Sequence, residues 1–327
     1  TVDHYPDLVG EAVGVVFELI DQVDDGIQLH EILKTLADIG ERATKYPSDS
    51  VLRLLEEEEQ QYVHPRAAIA VLRVWPKEAA KVFPTVTKII DAAKVYGSEN
   101  KDVLDAVQSI GKLAEPLTPN LINCFESLDQ GAGRRLPTQV LDLRYAICKI
   151  LLGIEPNEIA NLDRMLEIVD ATPYSTGKAQ GLAIWDLVER KDNREKVQLA
   201  FTSLMENNSI YARELKVHAA AGLLALFPEN KDNEKAVTLL RQSINSYRTT
   251  ALTSLTKIGK HAEPLMNDVA VFIRPGSTTE LKLALDILRQ IGPPAKAHIP
   301  AIETVAKTTT GTTRTAAEEA LKSIRGE

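Results

Sequence analysis

A short phrase returns along this chain: Ile110-Gly111-Lys112-Leu113-Ala114, Ile258-Gly259-Lys260-His261-Ala262 and Ile291-Gly292-Pro293-Pro294-Ala295, each after an apolar stretch of helical period. An internal repeat decides the architecture before any single residue is interpreted, because one small unit cannot bury its apolar face alone. Pro119 follows Ala114 and Pro300 follows Ala295 at a spacing of five, with Asn267 in the same place after Ala262. The frame also fits Ile39-Gly40 with Ala43, and Trp75-Pro76 with Ala79 and Pro84. Anchored on Gly40, Pro76, Gly111, Gly259 and Gly292, the steps are 36, 35 and 33 residues, around a gap of 148 that holds four steps of 37. Gly153, Arg190 and Pro228, each after an apolar run, fill that gap with steps of 42, 37, 38 and 31.

The segments before the anchors read as amphipathic helices. Tyr247 to Ile258 places Leu252, Leu255 and Ile258 three residues apart, and Glu280 to Ile291 places Leu281, Leu285, Leu288 and Ile291 on one stripe. Glycine or proline stops each helix: glycine accepts a left-handed conformation, and proline cannot continue the ladder. The alanine at anchor plus three lets a second helix approach closely. The proline at anchor plus eight falls in the first turn of that helix, where a missing backbone donor costs little.

This phrase resembles the HEAT repeat, and in particular the HEAT-like repeat first associated with phycobilisome lyases, whose unit is two antiparallel helices. The resemblance is strongest over residues 247–308 and 98–128, and it implies an all-α fold: an α-solenoid, a right-handed superhelix of stacked helix pairs with about eighteen helices. Residues 1–327 then form a single solenoid domain. An N-terminal capping helix occupies 1–26, about eight helix pairs fill 27–308, and a C-terminal capping helix occupies 309–327. The first helix is expected at Leu8 to Val23 and the last at Thr313 to Arg325, with Arg314, Glu318, Lys322 and Arg325 forming a polar outer face. The low aromatic content of 5% beside 44% apolar residues suits closely packed helices better than a β-sandwich.

A repeat scaffold names a fold and hardly an activity. No stretch of 18 apolar residues is present, so no transmembrane helix is expected, and the compartment is left between the cytoplasm and export after signal removal. Cys124 and Cys148 lie in apolar helical runs and read as buried thiols. Gly131-Ala132-Gly133 lacks the third glycine of a dinucleotide loop, and Gly111-Lys112 and Gly259-Lys260 end helices rather than start them. The HEAT-repeat deoxyhypusine hydroxylases hold iron through recurrent His-Glu pairs; the lone His30-Glu31 reads instead as a surface helical dipeptide. Trp75 fills the slot taken by isoleucine in other repeats, and with Trp185 it reads as core. HEAT-like DNA glycosylases use a basic groove, against which a net charge of −8 argues. Neither a cofactor, a metal nor a catalytic residue is expected.

Charge is unevenly spread. Residues 1–62 carry fifteen Asp/Glu against four Lys/Arg, a balance of −11, whereas 229–327 balance at +3. The run Glu56-Glu57-Glu58-Glu59 is therefore a candidate docking patch for a protein partner with a basic surface. Arg134 and Arg135, on the glycine-containing stretch that lengthens the step after Gly111, form a second candidate contact. The expected function is a non-catalytic protein-protein interaction scaffold with an extended curved surface. The alternative that the resemblance implies is a chromophore-lyase-like module holding a tetrapyrrole in its groove.

Overall fold

The computed structural model describes residues 6–57, 61–128, 136–171, 178–190, 194–207, 212–229, 233–274 and 278–327. They are overwhelmingly helical, without a strand among them, and form eighteen α-helices. In chain order these are α1 (Pro6–Gln22), α2 (Gly26–Ile39), α3 (Asp49–Arg53), α4 (His64–Val74), α5 (Phe83–Ala92), α6 (Ser98–Ser109), α7 (Thr118–Ser127), α8 (Thr138–Ile154) and α9 (Ile159–Asp170). They continue as α10 (Lys178–Arg190), α11 (Arg194–Glu206), α12 (Arg213–Leu226), α13 (Asn233–Ser246), α14 (Arg248–Ile258), α15 (Met266–Ala270), α16 (Thr278–Ile291), α17 (Ile299–Thr308) and α18 (Gly311–Arg325). The chain divides into two compact units, residues 1–165 and 166–327. In the first, α2, α4, α6 and α8 pack in series, while α1 lies on α3 and α5 on α7. In the second, α10, α12, α14, α16 and α18 pack in series, with α11, α13 and α17 against them.

The repeat phrase has a common local geometry. Gly40, Gly259 and Gly292 have φ of 62°, 58° and 74° with ψ of −140°, −127° and −137°. Positive φ is as expected, but the ψ values place these residues outside the left-handed helical region. They sit near the first central position of a type II′ turn, which is still more restricted to glycine. The left-handed cap proper occurs at Gly326, at φ 81° and ψ 31°.

After each anchor the chain winds as a short 3-10 stretch, as at 76–81, 111–117 and 259–265. Side chains three apart eclipse in such a helix. This is why the alanine at anchor plus three lines up with a second apolar residue three further on. Ala79 with Val82, Ala114 with Leu117, and Ala262 with Leu265 are all buried. Pro84, Pro119 and Pro300 then enter the first turn of α5, α7 and α17.

Gly153 is not an anchor. It lies exposed inside α8, which runs on to Ile154, and the break falls at Glu155-Pro156. Glu155 has φ −128° and ψ 82°, close to Trp75 before Pro76 (−123°, 64°) and Phe227 before Pro228 (−132°, 61°). A following proline drives its predecessor out of the helical region. The helices before Gly40, Gly259 and Gly292 thus end on a positive-φ glycine, and those before Pro76, Pro156 and Pro228 end on a residue before proline.

Candidate functional site

In the unit of residues 1–165, the ends of α2, α4 and α5 and the start of α6 surround an open groove of about 900 Å3. Its walls come from Tyr62, Ile69, Ile89 and Val95, with Lys88 and Lys94 beside them. Tyr62 and Val95 are exposed large side chains, at 54% and 49% of full exposure, so the groove presents apolar surface to solvent. Tyr62 lays its hydroxyl end over Gly26, where any added Cβ would overlap it. The segment bearing Val95 is pinned by buried Asn100, whose Nδ2 donates to the Val95 carbonyl at 2.7 Å and whose Oδ1 accepts from the Gly97 amide at 3.0 Å.

A polar ladder crosses the packed helices at this groove. Arg66 on α4 donates from Nη1 to Asp102 Oδ2 on α6 at 2.6 Å, and from Nε to His30 Nε2 on α2 at 3.1 Å. The three residues are spaced by 36 and 36, one repeat apart, so each occupies the same place on successive helices. As an acceptor from Arg66, His30 Nε2 carries no proton in this arrangement. His30 is thus half-buried and bonded rather than a solvated surface residue. Glu31 beside it points elsewhere and pairs with Lys34 at 3.7 Å.

The predicted contact residues fall as follows. Glu56 is exposed in the turn after α3. Glu57 is half-exposed; its carboxylate lies 3.5 Å from Arg53 Nε, and its carbonyl lies 3.1 Å from His64 Nε2. Glu58, Glu59, Arg134 and Arg135 lie outside the described residues. Neither Glu56 nor Glu57 lines the groove. Cys124 and Cys148 are buried as expected, and burial pushes the Cys124 thiol up, away from reactivity. Trp75 and Trp185 are core residues at 7% and 6% exposure. The Trp75 indole donates to the Tyr46 carbonyl at 2.9 Å, and its ring meets Phe17 edge-on.

No protein-family model matches the chain, and no curated protein matches it significantly. Any likeness to HEAT repeats therefore rests on the recurring phrase and on the helix pairing themselves.

Proposed function

We propose that the chain is a non-catalytic protein-binding scaffold, with its helix pairs stacked into one α-solenoid of HEAT-like repeats. The observation that supports this most is the groove beside Tyr62 and Val95, where exposed apolar side chains sit on a packed helical frame. Exposed apolar surface rimmed by charge is the ordinary mark of an interaction site. A surface already fixed by packing also binds without a large ordering cost.

The chemistry of the lining constrains the segment that docks there. Among the described residues that line the groove, Lys88 and Lys94 bring positive charge without a carboxylate beside them, while Arg66 is paired with Asp102, so an apolar segment flanked by acidic residues suits the two lysines. The acidic excess of residues 1–62 draws the opposite sign, a basic surface on the same partner. Such a partner carries both charges in separate places.

A low-salt pull-down from native lysate, quantified by mass spectrometry, tests the reading. The partner retained by the wild-type chain should be depleted from Tyr62→Ser and Val95→Asp beads. Equal retention by both variants, with their folds intact, removes the groove as the binding surface. A visible absorption band in protein purified from its native source would replace the scaffold with the tetrapyrrole-holding module.

A further inference from the structure

The unit of residues 166–327 holds a second, differently built pocket of about 320 Å3, at the small end of ligand-binding cavities, which run from roughly 300 Å3 upward. It lies on the packed series α10, α12 and α14. Lys178, Gly181 and Leu182 come from α10, Glu214 and His218 from α12, and Lys257 from α14. Trp185 forms part of the lining, but Lys257 covers its face, with Nζ 4.6 Å from the ring centroid. This cation–π contact fixes the position of the ammonium group. The described residues place no carboxylate in ion-pair contact with that ammonium; Asp186 and Glu189 act on it only through their fields. Burial holds the Lys257 pKa below its usual value, against the pull of those two carboxylates.

His218 supplies the complementary group. Ser254 Oγ spends its single proton on the Thr250 carbonyl at 2.8 Å, so at 2.9 Å from His218 Nδ1 it accepts, and the imidazole carries its proton on Nδ1. Nε2 is then a hydrogen-bond acceptor. Burial, aided by Lys257, lowers the His218 pKa to about 4, which keeps the ring neutral at physiological pH. Access to Nε2 depends on Gly181. A Cβ there would stand 3.2 Å from His218 Cδ2 and 3.4 Å from Nε2. Glycine at the fourth position of α10 thus keeps the edge of the imidazole open.

The pocket thus pairs a fixed ammonium with a neutral acceptor, beside the half-exposed apolar side chain of Leu182. A ligand that satisfies all three carries a carboxylate, an N–H donor close to it, and an apolar side chain. We infer that this pocket binds an N-acyl α-amino carboxylate with an apolar side chain, the end group of a peptide chain: its carboxylate on Lys257, its last amide N–H on His218 Nε2, and its side chain on Leu182. Glu214 at the pocket wall disfavours an acidic last residue. The inference goes beyond the groove of residues 1–165 and stands or falls separately from it.

The experiment uses the full chain and a fluorescein-labelled hexapeptide, Gly-Ser-Gly-Ser-Val-Leu, followed by fluorescence anisotropy. The free acid should bind saturably. The C-terminally amidated form, and the form ending in Asp, should bind about tenfold more weakly or worse, tenfold being the loss of one charge-assisted contact. Lys257→Gln should lose a similar factor. Gly181→Ala should also weaken binding about tenfold, because the added Cβ closes the approach to Nε2, with circular dichroism and a thermal melt showing that the variant is folded. Competition by N-acetyl-leucine distinguishes the source: inhibition weaker than by the peptide supports a chain end, and equal inhibition overturns the chain end in favour of a free N-acyl amino acid. Equal binding of acid and amide overturns the inference. So does the absence of saturable binding, or binding unaffected by both Lys257→Gln and Gly181→Ala.

Discussion

Arg66 and Asp102 stand 36 residues apart in sequence and 2.6 Å apart in space, each on the same turn of successive helices. Their side chains are 21% and 35% exposed, so the pair is only partly screened by water. Arg66 also donates to His30, and one guanidinium thereby ties three helices together. Arg66→Met should lower unfolding free energy by about 1–2 kcal/mol, between the value of an exposed ion pair and that of a shielded charged hydrogen bond. A double-mutant cycle with Asp102→Asn in urea should show coupling between the two sites, whereas Glu31→Ala, at an exposed pair, should stay within about 0.5 kcal/mol of wild type. Additivity of the two ladder variants would mean that the contact carries no energy.

The anchors make a sharper test, because two kinds of glycine occur in similar sequence settings. Nothing lies closer than 3.9 Å to a Cβ added at Gly292, so alanine there meets only the backbone strain of φ 74° and ψ −137°. The cost should be about 1–3 kcal/mol. Gly153 lies inside α8 with open space around it, and Gly153→Ala should instead stabilise by about 0.5–1 kcal/mol. Melting curves that shift in the same direction for both would contradict the two geometries.

Much of the fold was legible for a specific reason. The phrase around Gly111, Gly259 and Gly292 recurs because a positive-φ position accepts glycine almost alone, and because Ala114, Ala262 and Ala295 are fully buried at the same place in each repeat. Between 130 and 230 the frame blurs in part because proline replaces glycine as the stop at Pro156 and Pro228. Composition alone does not separate the helical Gly153 from a terminating glycine, and Glu155-Pro156 does the terminating. The ladder was hidden for a different reason. A repeat is found by looking for like residues at one position, whereas His30, Arg66 and Asp102 interact because they are unlike. Their common place about ten residues before successive anchors was the available signal. The pocket at Lys257 was less legible still, since Gly181 gains its role only from a histidine on another helix.

The last helix carries its own prediction. Ile324 is fully buried where α18 packs on α16 and α17, while Arg314, Glu318, Lys322 and Arg325 are exposed as expected. Arg314 pairs with Glu318 at 2.8 Å, and Arg325 with Glu303 at 2.6 Å. Ile324→Glu should therefore unfold the end of the stack, costing about 4 kcal/mol or more for an unpaired charge in an apolar site. Lys322→Glu should be nearly neutral in the same thermal denaturation. A folded, fully stable Ile324→Glu protein would show that this side chain faces water.

His218 gives stability a pH dependence whose sign follows from its environment. Its pKa is lowered to about 4 by burial and by Lys257, against 6.5 in the unfolded chain, so the unfolded state binds the proton first. The contribution of the neutral ring is complete above pH 6.5 and is lost as pH falls towards 4, by about 1.4 kcal/mol per pH unit in that window. His261, lowered by its own partial burial, acts in the same direction, and Asp170, raised by burial, opposes both at the acid end. The difference between wild type and His218→Gln isolates the single ring. Parallel stability curves for the two proteins from pH 7 to pH 4.5 would deny that His218 is neutral in the folded state.

The acidic end tests partner choice through rate rather than affinity. A balance of −11 over residues 1–62 attracts a basic surface across a Debye length of about 8 Å at physiological salt, and the attraction is screened as salt rises. Glu56 is exposed and contributes fully, whereas Glu57 lies near Arg53 and is already partly offset. Glu56→Lys should therefore slow association with the captured partner more than Glu57→Lys, and reversing both should flatten the salt dependence of the association rate. Glu319→Lys, on the exposed face of α18, provides the control for net charge. Stopped-flow association between about 20 mM and 300 mM salt reads all four proteins across the range over which screening changes most. Rates that fall equally in Glu56→Lys and Glu319→Lys would show that the partner responds to total charge, and the acidic patch would then be a feature of solubility rather than of docking.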